Sequence, residues 1–173
     1  DWSAVPKGLS ASFVTIDQRF AKHRVPNVAV EKSHIIRGWK GERLSAQVLL
    51  WTAQPVADVR VSVGDFRTKG ARLEGGIATA RFVRYVMTDE FAAGCGYRKP
   101  QDFAASLSAD MLDDLRQFDV EGKSARPVWI TVDIPRSAKV GVYQSVVTVS
   151  GKGIKDQKLA LNLEVIDRLL PEP

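Results

Sequence analysis

The stretch covering residues 126–149 constrains the fold of this chain more than any other feature. Apolar and polar side chains alternate in its first half, from Val128 to Ile134, with the spacing of a β-strand that buries one face. Pro135 lacks an amide hydrogen and ends that strand, and Gly141 begins a second alternating run. The two runs predict an antiparallel β-hairpin with one solvated face, which is typical of β-sandwich proteins.

Alternation of the same kind recurs along the chain, and turn-forming residues separate the segments. The predicted strands lie at residues 28–30, 44–51, 59–63, 77–88, 128–134, 141–149 and 159–165. We therefore expect an all-β fold, an antiparallel β-sandwich of about seven to eight strands that is immunoglobulin-like or jelly-roll-like.

The connection over residues 89–125 is the exception to this pattern. Leu107, Met111 and Leu115 recur at helical spacing, and Ser108 is a suitable N-cap residue. The sequence therefore predicts one short helix within residues 106–118. Long connections in compact domains are often functional or interfacial, so we expect Leu107 and Met111 to contribute to an interdomain interface.

The length of the chain, 173 residues, suits one domain with its own core. We assign residues 1–34 to an N-terminal extension with the first strand, residues 35–168 to a β-sandwich, and residues 169–173 to a linker. Because its two prolines stiffen this linker, we expect a further domain after it. Leu169, Leu170 and Pro171 are then expected at the interface between the two domains.

The charge pattern argues against a nucleic-acid partner, and the lengths of the apolar runs argue against a membrane span. The formal net charge is +5, but basic and acidic residues are interspersed, as on the surfaces of many soluble domains. A nucleic-acid-binding protein more often concentrates its basic residues in one stripe, so no nucleic-acid partner is predicted. No apolar run approaches the ~20 residues of a membrane span. An anionic glycan remains an alternative partner.

The residues that carry catalysis or bind metal do not cluster in this sequence. The histidines are His23 and His34, and the single cysteine, Cys95, is expected to fill a buried loop. Glycosidic cleavage needs two carboxyl groups about 5–10 Å apart across a cleft, whereas the acids at 89–90 and 113–114 are merely adjacent. We predict no catalytic residue, no metal site and no cofactor.

Three aromatic residues are the remaining candidates for ligand binding. Trp129 shares a predicted strand face with polar residues, Trp39 lies in a predicted loop, and Tyr97 lies in the long connection. Exposed rings of this kind stack on sugars or anchor another protein surface. For Trp129 the alternative is a tryptophan buried between the sheets, which is common in sandwiches.

Several motifs in a fixed order resemble those of one known family. They are Phe82-Val-Arg-Tyr-Val-Met-Thr-Asp89, Cys95-Gly96, Pro127-Val-Trp-Ile-Thr-Val-Asp-Ile-Pro135 followed by Gly141-Val-Tyr143, and Leu169-Leu-Pro-Glu-Pro173. Over most of residues 35–173 the chain resembles the N-terminal β-sandwich domain of bacterial glycoside hydrolase family 123-like proteins. In that family a (β/α)₈ barrel follows and hydrolyses β-linked N-acetylgalactosamine, using the substrate's acetamido group and an adjacent Asp-Glu pair.

This resemblance implies a role for the chain and a place for it in the cell. The chain is expected to be a non-catalytic accessory domain that packs against the catalytic barrel of the same polypeptide. It is also expected to be exported to the periplasm or cell surface of a Gram-negative bacterium, with its signal peptide removed. The alternative is an independent carbohydrate-binding module that uses exposed aromatic residues.

Overall fold

The computed structural model describes residues 1–88 and 106–172, which form two packed β-sheets. The strands are β1 (Ser10–Val14), β2 (Ser33–Lys40), β3 (Arg43–Thr52), β4 (Val56–Val63), β5 (Phe66–Thr68), β6 (Ala71–Leu73), β7 (Ala78–Thr88), β8 (Ser106–Asp113), β9 (Phe118–Val120), β10 (Ser124–Asp133), β11 (Gly141–Ser150) and β12 (Gln157–Leu169). The predicted all-β sandwich is confirmed.

Each sheet combines strands that are distant in sequence with strands that follow one another along the chain. Sheet A has the order β1-β3-β10-β7-β8 and is antiparallel throughout. Sheet B has the order β2-β12-β11-β4-β9, with β2 and β12 parallel, and the short β5–β6 pair joins it beside β11. Strand β12 and the preceding β11 are paired over nine residues, so the second half of the chain forms the centre of sheet B.

The core lies between the two sheets and follows from the alternation seen in the sequence. Ile130 and Val132 on β10 are fully buried, and they belong to the same core cluster as Leu161 and Leu163 on β12 and Tyr143 on β11. The Tyr143 hydroxyl donates to the Lys139 carbonyl at 2.8 Å, so this buried polar atom is satisfied. Inner positions are apolar because they lose water on folding.

A second, smaller core covers part of the outer face of sheet A. Leu49 and Trp51 of β3 point away from the main core and pack with Ala125 and with Phe20 of the N-terminal segment. The amide of Ala125 donates to the Lys22 carbonyl at 2.8 Å and holds the segment in place. The sandwich therefore uses residues before position 35, including the edge strand β1.

The predicted strand at residues 28–30 is wrong. Val30 is exposed, and the nearest ladder contact is an isolated bridge between Glu31 and Phe13. The regular strand in this part of the chain is β1, whose polar Ser10 and Ser12 concealed it in the sequence. Ser12 is buried because its hydroxyl donates to a backbone carbonyl and accepts from the Glu31 amide at 2.8 Å.

The predicted hairpin across Pro135 and Gly141 is also wrong. Both strands exist, but β10 lies in sheet A between β3 and β7, whereas β11 lies in sheet B between β12 and β4. The connection between them crosses from one sheet to the other. Two amphipathic strands bury their apolar faces equally well side by side or facing each other across ~10 Å, so alternation alone does not distinguish the two arrangements.

The predicted helix within residues 106–118 is a strand instead. Residues 106–113 form β8, which pairs with β7, and Phe118 begins β9. The short 3-10 helices of the described residues lie elsewhere, at Trp2–Ala4 and Gly75–Ile77. Serine and aspartate favour helices weakly, and pairing with β7 overrides the i, i+4 apolar spacing. The rest of the long connection, residues 89–105, lies outside the described residues.

Replacing Ile130 with alanine tests the packing of the core. Because Ile130 is fully buried between the sheets, we expect Ile130→Ala to lower the free energy of unfolding by about 2–5 kcal/mol through lost contacts and a residual cavity. Urea denaturation measures the change. Ile35→Ala is the matched control, since Ile35 is 53% exposed and its loss should cost less than about 0.5 kcal/mol. Equal effects of the two substitutions would contradict this strand register.

Candidate functional site

Asp113 and Asp114, one of the two adjacent acidic pairs, each interact with an arginine. Asp113 is buried and accepts two hydrogen bonds from Arg84, at 2.9 and 2.6 Å. Asp114 is exposed and forms an ion pair with Arg81 at 3.0 Å. Each carboxylate is thus held as a charged partner of a guanidinium group. The second acidic pair, Asp89-Glu90, and Cys95 lie outside the described residues.

The two histidines contact groups other than these acids. His34 stacks on Phe13 with ring centroids 5.3 Å apart, and burial lowers the pKa of its imidazole. His23 lies near the Lys123 carbonyl, 3.4 Å from its Nδ1. Among residues 1–88 and 106–172, no group of three or more His, Cys, Asp or Glu side chains is placed to hold a metal ion.

The outer face of sheet B carries five apolar side chains, of which four are exposed and Ile166 is half-buried. We call this surface the sheet B face and define it by five residues on β2, β11 and β12. They are Ile35, Trp39, Val142, Val146 and Ile166. Ile35 is 53% exposed and Trp39 is 38% exposed, although both occupy regular strand positions. These apolar side chains alternate with polar ones across the face, and several exposed apolar residues on one face are a feature of interaction surfaces.

Polar side chains cross the sheet B face and border it. Arg37 and Glu164 are partners in the β2–β12 register and form an ion pair at 2.8 Å. Gln144 and Asn162 occupy the neighbouring row and line an open hollow of about 590 Å³ that also includes Arg67. Apolar side chains with a polar border are typical of protein interfaces.

Trp39 is placed at the end of β2, in a strand and not in the predicted loop. The carboxylate of Glu42 accepts a hydrogen bond from the Trp39 amide at 2.8 Å, and the tight turn passes through Gly41 with φ = +87°. At Gly38 a Cβ atom would come within 2.9 Å of the side chains of Glu42 and Leu44. The glycines at positions 38 and 41 therefore allow the close turn that orients the Trp39 ring.

The C-terminal residues are attached to the same end of sheet B. Strand β12 continues to Leu169, opposite Lys40, and the Leu170 amide donates to the Lys40 carbonyl at 2.9 Å. Arg136 donates to the Leu170 carbonyl at 2.9 Å and forms an ion pair with Glu172 at 2.9 Å. Leu169, Leu170 and Pro171 are exposed beside this anchored backbone. These three residues therefore follow the end of β2, where Lys40 comes directly after Trp39.

Leu107 and Met111 lie elsewhere, on β8 at the far edge of sheet A. Leu107 is the partner of Met87, whereas Met111 is the partner of Arg84, and the register shifts between them. Because Met87 and Arg84 are three residues apart on β7, Leu107 and Met111 face opposite sides of the sheet. The structure therefore does not join them to the C-terminal residues in one surface.

Trp129 lies in a hollow on the outer face of sheet A, which we call the Trp129 hollow. Its cross-strand neighbours are Gln47 on β3 and Arg81 on β7. The hollow has a volume of about 370 Å³, and its walls come from β7, β8 and the N-terminal segment. The remaining lining residues are Ile16, Gln18, Arg19, Val83, Ala109, Asp110 and Leu112. Tyr97, the third aromatic candidate, lies outside the described residues.

Sequence reasoning missed most of the sheet B face. Val142, Val146 and Ile166 occupy the outward positions of their strands, where polar residues are expected when a face is solvated. That departure from alternation was visible in the run from Gly141 to Val149. It was concealed by the hairpin assignment, which left open which positions point outwards.

Comparisons with known proteins agree with this fold. A family model described as the glycoside hydrolase 123 N-terminal domain matches residues 13–151. A solved structure of a family 123 glycoside hydrolase from Clostridium perfringens, described for its hydrolysis of glycolipid glycans, matches with a TM-score of 0.82 and 18% identity. The match covers 94% of this chain and 28% of that chain, so the present chain spans little more than a quarter of that enzyme.

Other solved structures are less similar. AvmM, which catalyses macrocyclization in alchivemycin A biosynthesis, gives a TM-score of 0.44 at 8% identity, over 97% of this chain and 93% of that chain. The N-terminal domain of PorA gives 0.39 at 8% identity, over 92% and 99%. Scores of this size carry no argument about function.

Two further findings bear on the class of protein. A comparison with curated proteins found no match. Within residues 1–88 and 106–172, no helix has the length and apolar character needed to cross a membrane. The family model covers most of the chain and confirms the resemblance read from the sequence. The chain belongs to the glycoside hydrolase 123 N-terminal domain family.

Proposed function

We propose that this chain is a non-catalytic accessory domain at the N-terminal side of a family 123-like glycoside hydrolase of the β-N-acetylgalactosaminidase type. In this proposal the domain packs against a (β/α)₈ catalytic domain of the same polypeptide and supports it. The parent enzyme is exported to the periplasm or cell surface of a Gram-negative bacterium. Family membership and the partial coverage of the clostridial enzyme support the role as an accessory domain of a longer glycoside hydrolase.

The observation that carries the proposal is the sheet B face and its position beside the C-terminal residues. Isolated domains rarely keep a tryptophan and several aliphatic side chains exposed together on one sheet face. Leu169 and Leu170 are 51% and 38% exposed and extend this apolar surface to the end of the described chain. A domain that follows in sequence would begin next to the surface that it covers.

The anchoring of the C-terminal backbone supports the same assignment. Leu170 is held by Lys40 on one side and by Arg136 on the other, both at 2.9 Å. Lys40 also forms an ion pair at 2.9 Å with Asp167, which lies three residues before Leu170. Exposed ion pairs stabilise a fold by less than about 1 kcal/mol each, so their main consequence here is to fix the direction of the chain at its exit.

The alternative function, that of an independent carbohydrate-binding module, predicts a different environment for the sheet B face. A free module would leave the sheet B face in water, whereas an accessory domain would bury it against the barrel. Interfaces between domains of one chain commonly bury ~600–1,500 Å². Burial of the sheet B face in the longer polypeptide therefore decides between the two functions.

A double substitution, Ile35→Asp with Val146→Asp, tests the docking of the barrel. Both residues lie on the sheet B face and are 53% and 45% exposed, so this chain alone should keep its thermal unfolding temperature. In the longer polypeptide the same substitutions place two carboxylates in the apolar interface, where charge is costly. We expect the two domains to unfold in separate calorimetric transitions and the junction after Leu170 to become sensitive to proteases.

Met87→Asp is the matched control for this experiment. Met87 is 75% exposed at the β8 edge of sheet A, away from the proposed interface, so the longer polypeptide should behave as the unmodified protein. Retention of one cooperative transition in the double variant would contradict docking through the sheet B face. Domain separation by Met87→Asp would place the interface at β8 instead.

The chain alone is expected to have no glycosidase activity. Asp113 and Asp114 are each paired with an arginine, whereas glycosidic cleavage needs two carboxyl groups that flank the bond to be broken. An assay with an aryl β-N-acetylgalactosaminide checks this at high protein concentration. Turnover that is retained in repurified protein and abolished by Asp114→Asn would overturn the expectation. Because Asp114 is an exposed surface residue, that variant is expected to fold normally.

A further inference from the structure

The outer face of sheet A differs from the sheet B face in chemistry and in shape. Beyond Trp129, the next cross-strand row on this face is Ser45, Thr131 and Thr79, three small hydroxyl side chains. The N-terminal segment rises beside the sheet and converts the flat face into the Trp129 hollow. One aromatic ring therefore lies in a concave surface of mixed polar and apolar side chains that the proposed barrel docking leaves uncovered.

Gln47 fixes the wall of the hollow and contributes an acceptor to it. Its Nε2 donates to the carbonyls of Thr15 and Gln18, at 2.7 and 3.2 Å. Both hydrogens of the amide are thus used to hold the N-terminal segment, which leaves Oε1 as the atom through which Gln47 can bind a ligand. Gln47 is buried and the backbone on either side is paired in a sheet, so this acceptor is rigidly placed.

The charges at the rim balance one another. Arg19 and Asp110 face each other across the opening and form an ion pair at 3.3 Å, with side chains 50% and 58% exposed. Arg81, next to Trp129, is paired with Asp114 at 3.0 Å. Because the positive and negative groups are matched, the hollow does not select a strongly charged ligand. It offers donors and acceptors to a neutral one.

The floor and walls supply the apolar part of the site. Val83 and Ala109 are buried beneath the hollow, and Ile16 and Leu112 are more than 40% exposed at its sides. The volume of about 370 Å³ lies at the small end of the ~300–1,000 Å³ range of ligand sites. A ligand of one or two rings fits this volume, whereas a protein surface does not enter it.

From this arrangement we propose that the Trp129 hollow is a binding site for one neutral pyranose unit of a glycan. A pyranose combines an apolar C–H face, which matches the Trp129 ring, with an edge of hydroxyl groups, which matches Gln47, Arg19 and Asp110. The inference goes beyond the supporting role proposed above and does not depend on it. Because the hollow and the sheet B face lie on opposite sides of the sandwich, the chain can dock a barrel and hold a sugar at the same time.

The test is a titration of this chain with methyl β-glycosides of N-acetylgalactosamine, galactose, N-acetylglucosamine and glucose at millimolar concentrations. Amide chemical shifts measured by NMR report where each sugar binds. We expect at least one glycoside to shift the resonances of residues 16–19, 47, 109–112 and 129 together. Trp129→Ala should weaken that binding about tenfold or more, because it removes the aromatic ring on which the apolar face of the sugar would stack.

Two further variants control for misfolding and for non-specific stacking of sugars on tryptophan. Asp110→Ala alters an exposed rim residue that leaves the core intact and should weaken binding severalfold. Trp39→Ala, which removes an exposed indole from the sheet B face, should leave binding unchanged. The proposal is overturned if none of the four glycosides binds, if Asp110→Ala and Trp129→Ala both bind normally, or if the shifts map to Trp39. Each of these results leaves the barrel-docking experiment unaffected.

Discussion

The ten-residue ladder between β3 and β10 is the interaction on which the rest of the structure depends. It pairs Ser124 with Thr52 at one end and Asp133 with Arg43 at the other, without a break. Because side chains alternate along a strand, this one register sends Val128 and Ile130 into the core and Trp129 to the opposite face. A slip by one residue would expose the core residues and bury the tryptophan, which would destroy the core and the Trp129 hollow together.

The two outer faces of the sandwich differ because the N-terminal segment covers part of sheet A. On sheet A the N-terminal segment places Phe20 over Leu49 and Trp51, so this part of the face is buried within the domain. Sheet B has no such cover over Ile35 and Val146 among the described residues. The exposed apolar residues of sheet A, among them Met87, Leu107 and Leu112, lie towards its β8 edge, whereas those of sheet B lie on β2, β11 and β12.

Prediction from the sequence succeeded where only one type of secondary structure fits the pattern of apolar residues in a segment. The run from Leu159 to Val165 alternates strictly and lies at the centre of sheet B, and the fold class followed from several such segments. It failed where two arrangements satisfy the same pattern. The strands on either side of Pro135 bury their apolar faces in either topology, and Leu107 and Met111 fit a helix as well as a bulged strand.

The candidate surfaces were harder to predict from the sequence than the fold, for a related reason. Trp39 and Trp129 were identified as aromatic residues with polar neighbours, but their surroundings come from distant parts of the chain. Trp129 shares its hollow with Gln18 and Arg19 of the folded N-terminal segment, and Trp39 lies opposite Ile166 through the parallel pairing of β2 with β12. Contacts of this kind depend on strand order, which periodicity does not encode.

The anchored C-terminal backbone explains how a modest apolar surface would suffice for the proposed docking. When two domains are joined by a short connection, their association is intramolecular and takes place at an effective concentration in the millimolar range. Arg136 and Lys40 hold Leu170 beside the end of β2, so the following residues would start at the interface with little freedom to lose. The same surface on a severed domain lacks this advantage. We therefore expect the separated chain and barrel to associate weakly, even if they form one rigid unit when joined.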